Sequence, residues 1–128
     1  MKDYMILIFP EGNPVEEKTG ESHRGDIKDI GQYLERLSLQ GHLKEAQPLE
    51  PGAVTIRGTE GNFEVTSLPP NQVDIAGYYM ITADNMQQAV NIAQGDPRFG
   101  DGAWRMEIRA VMQMGGIPDE GAILDNSL

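Results

Sequence analysis

Two runs of residues along the chain are apolar without any alternation. Residues 4–9 read Tyr-Met-Ile-Leu-Ile-Phe, and residues 75–81 read Ile-Ala-Gly-Tyr-Tyr-Met-Ile. A strand with one face in water alternates apolar and polar side chains, whereas a strand that is apolar throughout is covered on both faces. A chain of 128 residues has few elements left to form a second covering layer. The pattern therefore predicts two central strands whose second face is covered by a partner subunit.

Two other segments carry their apolar residues at helical spacing. The first is predicted to begin near Asp26 and to end at Gly41, and its apolar stripe is Ile27, Ile30, Leu34 and Leu37. The second follows Asp84, which forms a capping-box pattern with Gln87, and it ends at Gly95; its stripe is Met86, Ala89, Val90 and Ala93. Each helix is expected to pack one face against the sheet.

The remaining strands complete the order of the elements. Residues 53–57 and 63–66 flank the sequence Gly-Thr-Glu-Gly-Asn and predict a β-hairpin. Residues 104–111 alternate between apolar and polar side chains, which predicts a strand with two different faces. This order predicts an α+β fold, a ferredoxin-like split β-α-β sandwich with an added hairpin.

The predicted fold leaves one face of the sheet open, because both helices cover the other face. A homodimer whose sheets pack face to face would cover both open faces. Its two-fold axis would place Glu107 and Arg109 of each subunit at the dimer seam. An uncovered apolar face would instead promote aggregation.

Composition excludes several classes of function. The chain has 20 acidic and 10 basic residues and a net charge of -10, which argues against binding to nucleic acid or to an anionic membrane. It has two histidines, no cysteine and no His-Glu-x-x-His spacing, so neither a metal site nor a cofactor is predicted. The apolar run at the N-terminus is too short for a signal peptide or a membrane span, and we expect a cytoplasmic protein.

Several sequence pieces, taken in order, resemble the YCII-related family and its subgroup named for an Asp-Gly-Pro-Phe motif. They are Met-Ile-Leu-Ile at 5–8, Tyr-Leu-x-x-Leu-x-x-x-Gly-x-Leu-x-x-Ala-x-Pro-Leu at 33–49, Ala-Gly-Tyr-Tyr-Met-Ile at 76–81, Pro97, and Glu-Ile-Arg at 107–109. They span residues 4–111, nearly the whole chain. The name-giving motif is degraded, since residues 67–70 read Ser-Leu-Pro-Pro.

The resemblance implies a dimeric α+β barrel, which we assign to residues 1–114. Residues 115–128 are acidic and contain glycine, and we expect them to form a flexible C-terminal tail. In a well-studied branch of the family, a histidine on the first helix and an aspartate before a proline are proposed as an acid/base pair. Asp96 precedes Pro97 and matches the second residue, but Ile30 occupies the histidine position. His23, two turns earlier, is the alternative, so the candidate catalytic residues are Asp96 and His23.

A ligand pocket between sheet and helices is a second candidate site. Tyr79, Phe99 and Trp104 are expected to line it, and Arg98 would bind a carboxylate or phosphate at its rim. The alternative is that the aromatic residues are core and that Arg98 forms a surface ion pair.

Three functions stay open on this sequence. The first is a small homodimer of the YCII type that binds a small molecule in the cleft. The second is a cofactor-free enzyme of proton-transfer or elimination chemistry with Asp96 as the acid/base and His23 or Tyr79 assisting. It requires the second titratable group within reach of Asp96. The third is a structural or regulatory interaction module, which would have a second apolar surface and no cavity.

Overall fold

The computed structural model describes residues 1–11, 20–70, 75–100 and 104–113, with the side chains described from residue 27 onward in the first helix. The element order is strand, helix, four strands, helix, a short 3-10 turn and a last strand. In our numbering these are β1 (Lys2–Pro10), α1 (Gly20–Leu39), β2 (Leu43–Pro48), β3 (Ala53–Thr59), β4 (Asn62–Leu68), β5 (Gly77–Ala83), α2 (Met86–Ala93), the 3-10 turn (Pro97–Gly100) and β6 (Trp104–Ala110).

The main sheet has four antiparallel strands in the order β2-β5-β1-β6. The two apolar runs form its two central strands, β1 and β5, as their pattern predicts. At the middle of β1, Ile6 lies between Tyr79 of β5 and Ile108 of β6. Strands β3 and β4 form a separate two-stranded hairpin. The predicted α+β architecture with its added hairpin is therefore confirmed.

The hydrophobic core lies between the helices and one face of this sheet. Its buried side chains come from both central strands and both helices, namely Tyr4, Ile6, Ile8, Tyr33, Leu37, Tyr79, Ile81, Ala83, Ala89 and Ala93. On the opposite face, Met5, Leu7 and Phe9 are only partly buried. Within the described residues, no helix packs over that face. We call it the open face.

Three details differ from the sequence prediction. Helix α1 begins at Gly20, before the predicted start near Asp26. Helix α2 is capped by Asn85, whose side chain accepts a hydrogen bond from the Gln88 backbone, so the cap is one residue later than Asp84. Strand β2 was not predicted, because its residues, Leu-Lys-Glu-Ala-Gln-Pro, have no apolar run and end in proline.

The end of α1 follows the prediction. Gly41 has a φ of 81°, the left-handed conformation that glycine adopts at a helix C-terminus. The backbone N–H of Gly41 donates to Ser38, and that of His42 donates to Leu37, which together form a Schellman motif. The His42 ring is placed by a 2.8 Å contact between Nδ1 and the Thr82 carbonyl.

Replacing Gly77 with alanine is expected to destabilise the fold by about 1–3 kcal/mol. A Cβ at this position would lie 2.8 Å from the Gln47 carbonyl oxygen and 3.1 Å from the Pro48 Cα, which are backbone atoms of β2. Gly31, on the exposed side of α1, is the matched control, because a Cβ there meets nothing within 4 Å. Gly31→Ala should stabilise by about 0.5–1 kcal/mol. Urea unfolding measures both, and equal midpoints would contradict the close approach.

Candidate functional site

The described part of the chain contains a buried ionisable side chain at Asp96. It follows α2 in a tight turn, in which its backbone N–H donates to the Ala93 carbonyl. The Asp96 side chain has no solvent exposure. Because an unpaired buried charge is very costly, its partners determine what this residue can do.

The Asp96 carboxylate is held by three hydrogen bonds. Its Oδ1 accepts from the Arg98 backbone N–H at 2.9 Å. Its Oδ2 accepts from the Arg98 Nη1 at 2.7 Å and from the Tyr79 hydroxyl at 3.1 Å. The Arg98 side chain is itself only 15% exposed, so this ion pair is largely shielded from water.

Tyr79 connects this ion pair to the first helix. The hydroxyls of Tyr79 and Tyr33 lie 2.9 Å apart, and their rings meet edge to face with centroids 5.9 Å apart. The Tyr33 hydroxyl also lies 3.0 Å from the Ile92 carbonyl of α2, to which it can donate. We call Tyr33, Tyr79, Asp96 and Arg98 the buried polar cluster. It links β5, both helices and the 3-10 turn.

The two tyrosine hydroxyls of this cluster have fewer protons than they have short contacts to other oxygen atoms. Three oxygen–oxygen contacts, from Ile92 through Tyr33 and Tyr79 to Asp96, share two phenol protons. While Asp96 is ionised, one of the three contacts has no proton between its oxygens. Tyr79 donates to Asp96, so Tyr33 has one proton to share between its contacts with Tyr79 and Ile92.

Both tyrosines are held in the neutral form. Burial raises the pKa of Tyr33 to about 12, and the hydrogen-bonding contact with Tyr79 opposes part of that rise. Burial also raises the pKa of Tyr79, and the neighbouring Asp96 charge raises it further. At neutral pH these phenols are hydrogen-bonding groups and do not act as bases.

An apolar groove lies next to the cluster, between α2, the 3-10 turn and β6. It has a volume of about 410 Å³ and is lined by Met86, Val90, Ala93, Gln94, Phe99, Met106 and Ile108. The Met106 sulfur is 4.0 Å from the Tyr79 hydroxyl. Met106 therefore separates the groove from the buried polar cluster.

The candidate site residues occupy different surroundings. Asp96, Tyr79 and Arg98 meet in the buried polar cluster, and Phe99 lines the groove. Trp104 packs against the core and is not among the groove residues. The His23 side chain lies outside the described residues, so its predicted pairing with Asp96 stays a prediction.

Tyr33 was missed by the sequence analysis. It lies three residues after Ile30 and four before Leu37, and therefore on the buried stripe of α1. A tyrosine on such a stripe needs a hydrogen-bond partner for its hydroxyl. That signal predicts a buried polar contact, but it does not name the partner.

The two residues predicted for the dimer seam lie on the open face. Glu107 accepts from Arg105 at 2.9 Å and pairs with Arg109 at 3.5 Å. The hydrogen bond from Arg105 lowers the pKa of Glu107. The Arg105 guanidinium also lies 4.3 Å above the centre of the Phe9 ring. In a single chain this cluster is exposed to solvent, and the described residues do not show what packs against it.

A family model for the YCII-related domain matches residues 3–115. The chain belongs to the YCII-related family. The match runs from β1 through β6 and so includes the helices, the hairpin and the buried polar cluster. It concerns the family as a whole, and the Asp-Gly-Pro-Phe subgroup stays a prediction. No match was found among curated proteins.

Two kinds of feature are not found in the described part of this YCII-related chain. No helix among the described residues is both long and apolar enough to span a membrane. In the same part of the chain, no group of three or more His, Cys, Asp or Glu residues is placed to hold a metal ion.

Proposed function

We propose that this YCII-related protein is a homodimer that binds a small, largely apolar molecule in the groove between α2 and β6. The observation that carries the proposal is the groove itself, because six of its seven lining residues are apolar and Gln94 is the polar one. A cleft of this size and composition is typical of a small-molecule site. Arg98 is engaged with Asp96, so an uncharged ligand fits better than an acidic one.

The geometry favours ligand binding in the groove over a catalytic role for Asp96. A general base must reach the proton that it removes, directly or through one water. Asp96 and Tyr79 do lie within hydrogen-bonding distance, as the enzyme hypothesis requires. However, the carboxylate is fully enclosed and already accepts three hydrogen bonds, and Met106 lies between Tyr79 and the groove. We therefore assign Asp96 a structural role in supporting the groove.

The homodimer is supported by the open face. Met5, Leu7 and Phe9 form a continuous apolar column along β1, and Met80 lies beside Met5 on β5. Leaving this column in water forgoes the free energy of burial, which is about 25 cal/mol for each Å² of apolar surface. A second copy packed face to face would bury it.

Thermal unfolding in the presence of matched ligands tests the groove. The probes are aromatic alcohols and the carboxylates of the same ring size. We expect the uncharged series to stabilise the protein by about 2–3 kcal/mol at a hundredfold excess over Kd, which raises Tm by several degrees. Phe99→Ala should remove the shift, because Phe99 lines the groove.

Leu39→Ala is the control, because Leu39 is highly exposed and lies at the end of α1. It should keep the full Tm shift. Equal shifts in both variants would place the ligand elsewhere, and no shift with any probe would favour an interaction module. Turnover of a probe that survives Phe99→Ala but not Asp96→Asn would support the enzyme.

A further inference from the structure

The hairpin of β3 and β4 has two different faces. One face carries Val54, Ile56, Phe63 and Val65, each between 61 and 66% exposed. The register confirms that they share it, since Ile56 pairs with Val65 and Gly58 with Phe63. The other face is polar and includes Arg57 opposite Glu64 and Thr55 opposite Thr66. We call the first the apolar face of the arm, and the hairpin the arm.

The arm has little support from its own chain. Its two strands pair with each other, and contacts with the other described elements are sparse. An isolated two-stranded hairpin is at best marginally stable in water. Four large apolar side chains exposed together on such a hairpin mark an interaction surface.

The base of the arm is fixed at the end of the sheet where β1 and β2 finish and β5 begins. The Leu49 backbone N–H donates to the Ala76 carbonyl, which joins the two chain segments that lead into and out of the arm. The Ala76 N–H in turn donates to Ile8, next to Phe9 at the end of the open-face column. The arm thus leaves the sheet where the open face ends.

The area of the open face indicates what the arm does. Four strands of about seven residues have a flat footprint of about 450 Å². A stable dimer buries about 800 Å² on each partner. The two strands of the arm would add about 220 Å² from each subunit. The arm would therefore enlarge the flat footprint of the open face by about half, which favours its use in the same interface.

We infer that the arm packs its apolar face, Val54, Ile56, Phe63 and Val65, on a second copy of this chain and extends the sheet-to-sheet interface. The inference rests on the proposed homodimer and adds to it a contact between the arm of each copy and the other copy. A two-fold axis makes the contact reciprocal, so neither copy is left with an uncovered arm. The apolar face also carries no charge, and two chains of net charge -10 can meet there without direct repulsion.

Dimer dissociation on dilution, measured by sedimentation, tests the arm. The double variant Ile56→Asp, Phe63→Asp places two charges on the apolar face and should raise the dimer Kd at least a hundredfold. The matched control, Thr59→Asp, Thr66→Asp, adds the same charges to the polar face of the same hairpin. It should change Kd less than threefold. Leu7→Glu disrupts the open face and should leave a monomer near 14.1 kDa.

Thiol labelling gives a second readout that does not depend on charge. The chain has no cysteine, so Ile56→Cys and Thr66→Cys each introduce a single thiol. In the dimer, Ile56→Cys should react with a maleimide at least tenfold more slowly than Thr66→Cys. Adding Leu7→Glu should restore rapid labelling, because the second copy is then gone.

The possible outcomes distinguish failure of the arm contact from failure of the proposed homodimer. A wild-type monomer at every concentration would overturn both proposals. A dimer that Leu7→Glu dissociates, with equal Kd values for the two hairpin variants and equal labelling of the two thiols, would overturn the arm and keep the dimer. Rapid labelling of Ile56→Cys in the pure dimer would show that the second copy does not cover the apolar face and would overturn the arm contact.

Discussion

Asp96→Asn is expected to lower the free energy of unfolding by about 3–5 kcal/mol, the usual cost of removing one partner from a buried ion pair. The amide keeps the size of the side chain but loses the negative charge that faces Arg98. Its NH₂ group would also face a donor, because both carboxylate oxygens now accept hydrogen bonds. Urea unfolding measures the loss.

Asp3→Asn is the matched control for this variant. Asp3 also pairs with a basic residue, Lys44, at 2.9 Å, but both side chains are substantially exposed. An exposed pair contributes at most about 1 kcal/mol, so the control should lose no more than that. Equal losses in the two variants would contradict a structural role for Asp96.

Stability is expected to fall steeply above pH 10. Below that pH the phenols are protonated in both the folded and the unfolded chain, and they contribute no pH dependence. Between pH 10 and about 12, unfolded tyrosines release their protons, while Tyr33 and Tyr79 keep theirs because their pKa values are raised. Each should then lower the free energy of unfolding by up to about 1.4 kcal/mol per pH unit.

Urea unfolding at a series of alkaline pH values measures this slope, and phenolate absorbance reports the ionisation itself. Tyr79→Phe removes one of the two groups and should reduce their joint contribution to the slope by about half. It also removes a hydrogen bond to Asp96, so its stability at neutral pH should fall as well. An unchanged slope in Tyr79→Phe would show that the buried phenols do not govern the alkaline limit.

Local pattern was enough to predict most of the elements. Residues 4–9 and 75–81 were recognised as central strands because each is apolar on both faces, and β1 and β5 occupy the two central positions of the sheet. The hairpin was predicted from the glycines and asparagine at its turn, and Gly58 and Gly61 there have positive φ values. Strand β2 was missed because it is an edge strand with a largely polar sequence.

The candidate site was harder to predict from the sequence than the fold was. Asp96 was chosen as the acid/base and Tyr79 as a pocket residue that could assist it, but Tyr33 was not chosen at all. Tyr33 and Tyr79 are 46 residues apart, and no spacing rule predicts that their hydroxyls meet. The groove shows the same limit, because its lining comes from α2, the 3-10 turn and β6 together.

The sequence by itself determined the order of the elements, the two central strands, the hairpin and the family resemblance. These depend on periodicity, turn residues and short motifs, which act between residues close together in the chain. Only the tertiary structure decided that Asp96 is enclosed by Tyr79 and Arg98 and that the groove lies behind Met106. It also decided that the apolar face of the arm is exposed. Those features depend on burial and on distances between remote segments, which exist only once the sheet and helices have packed.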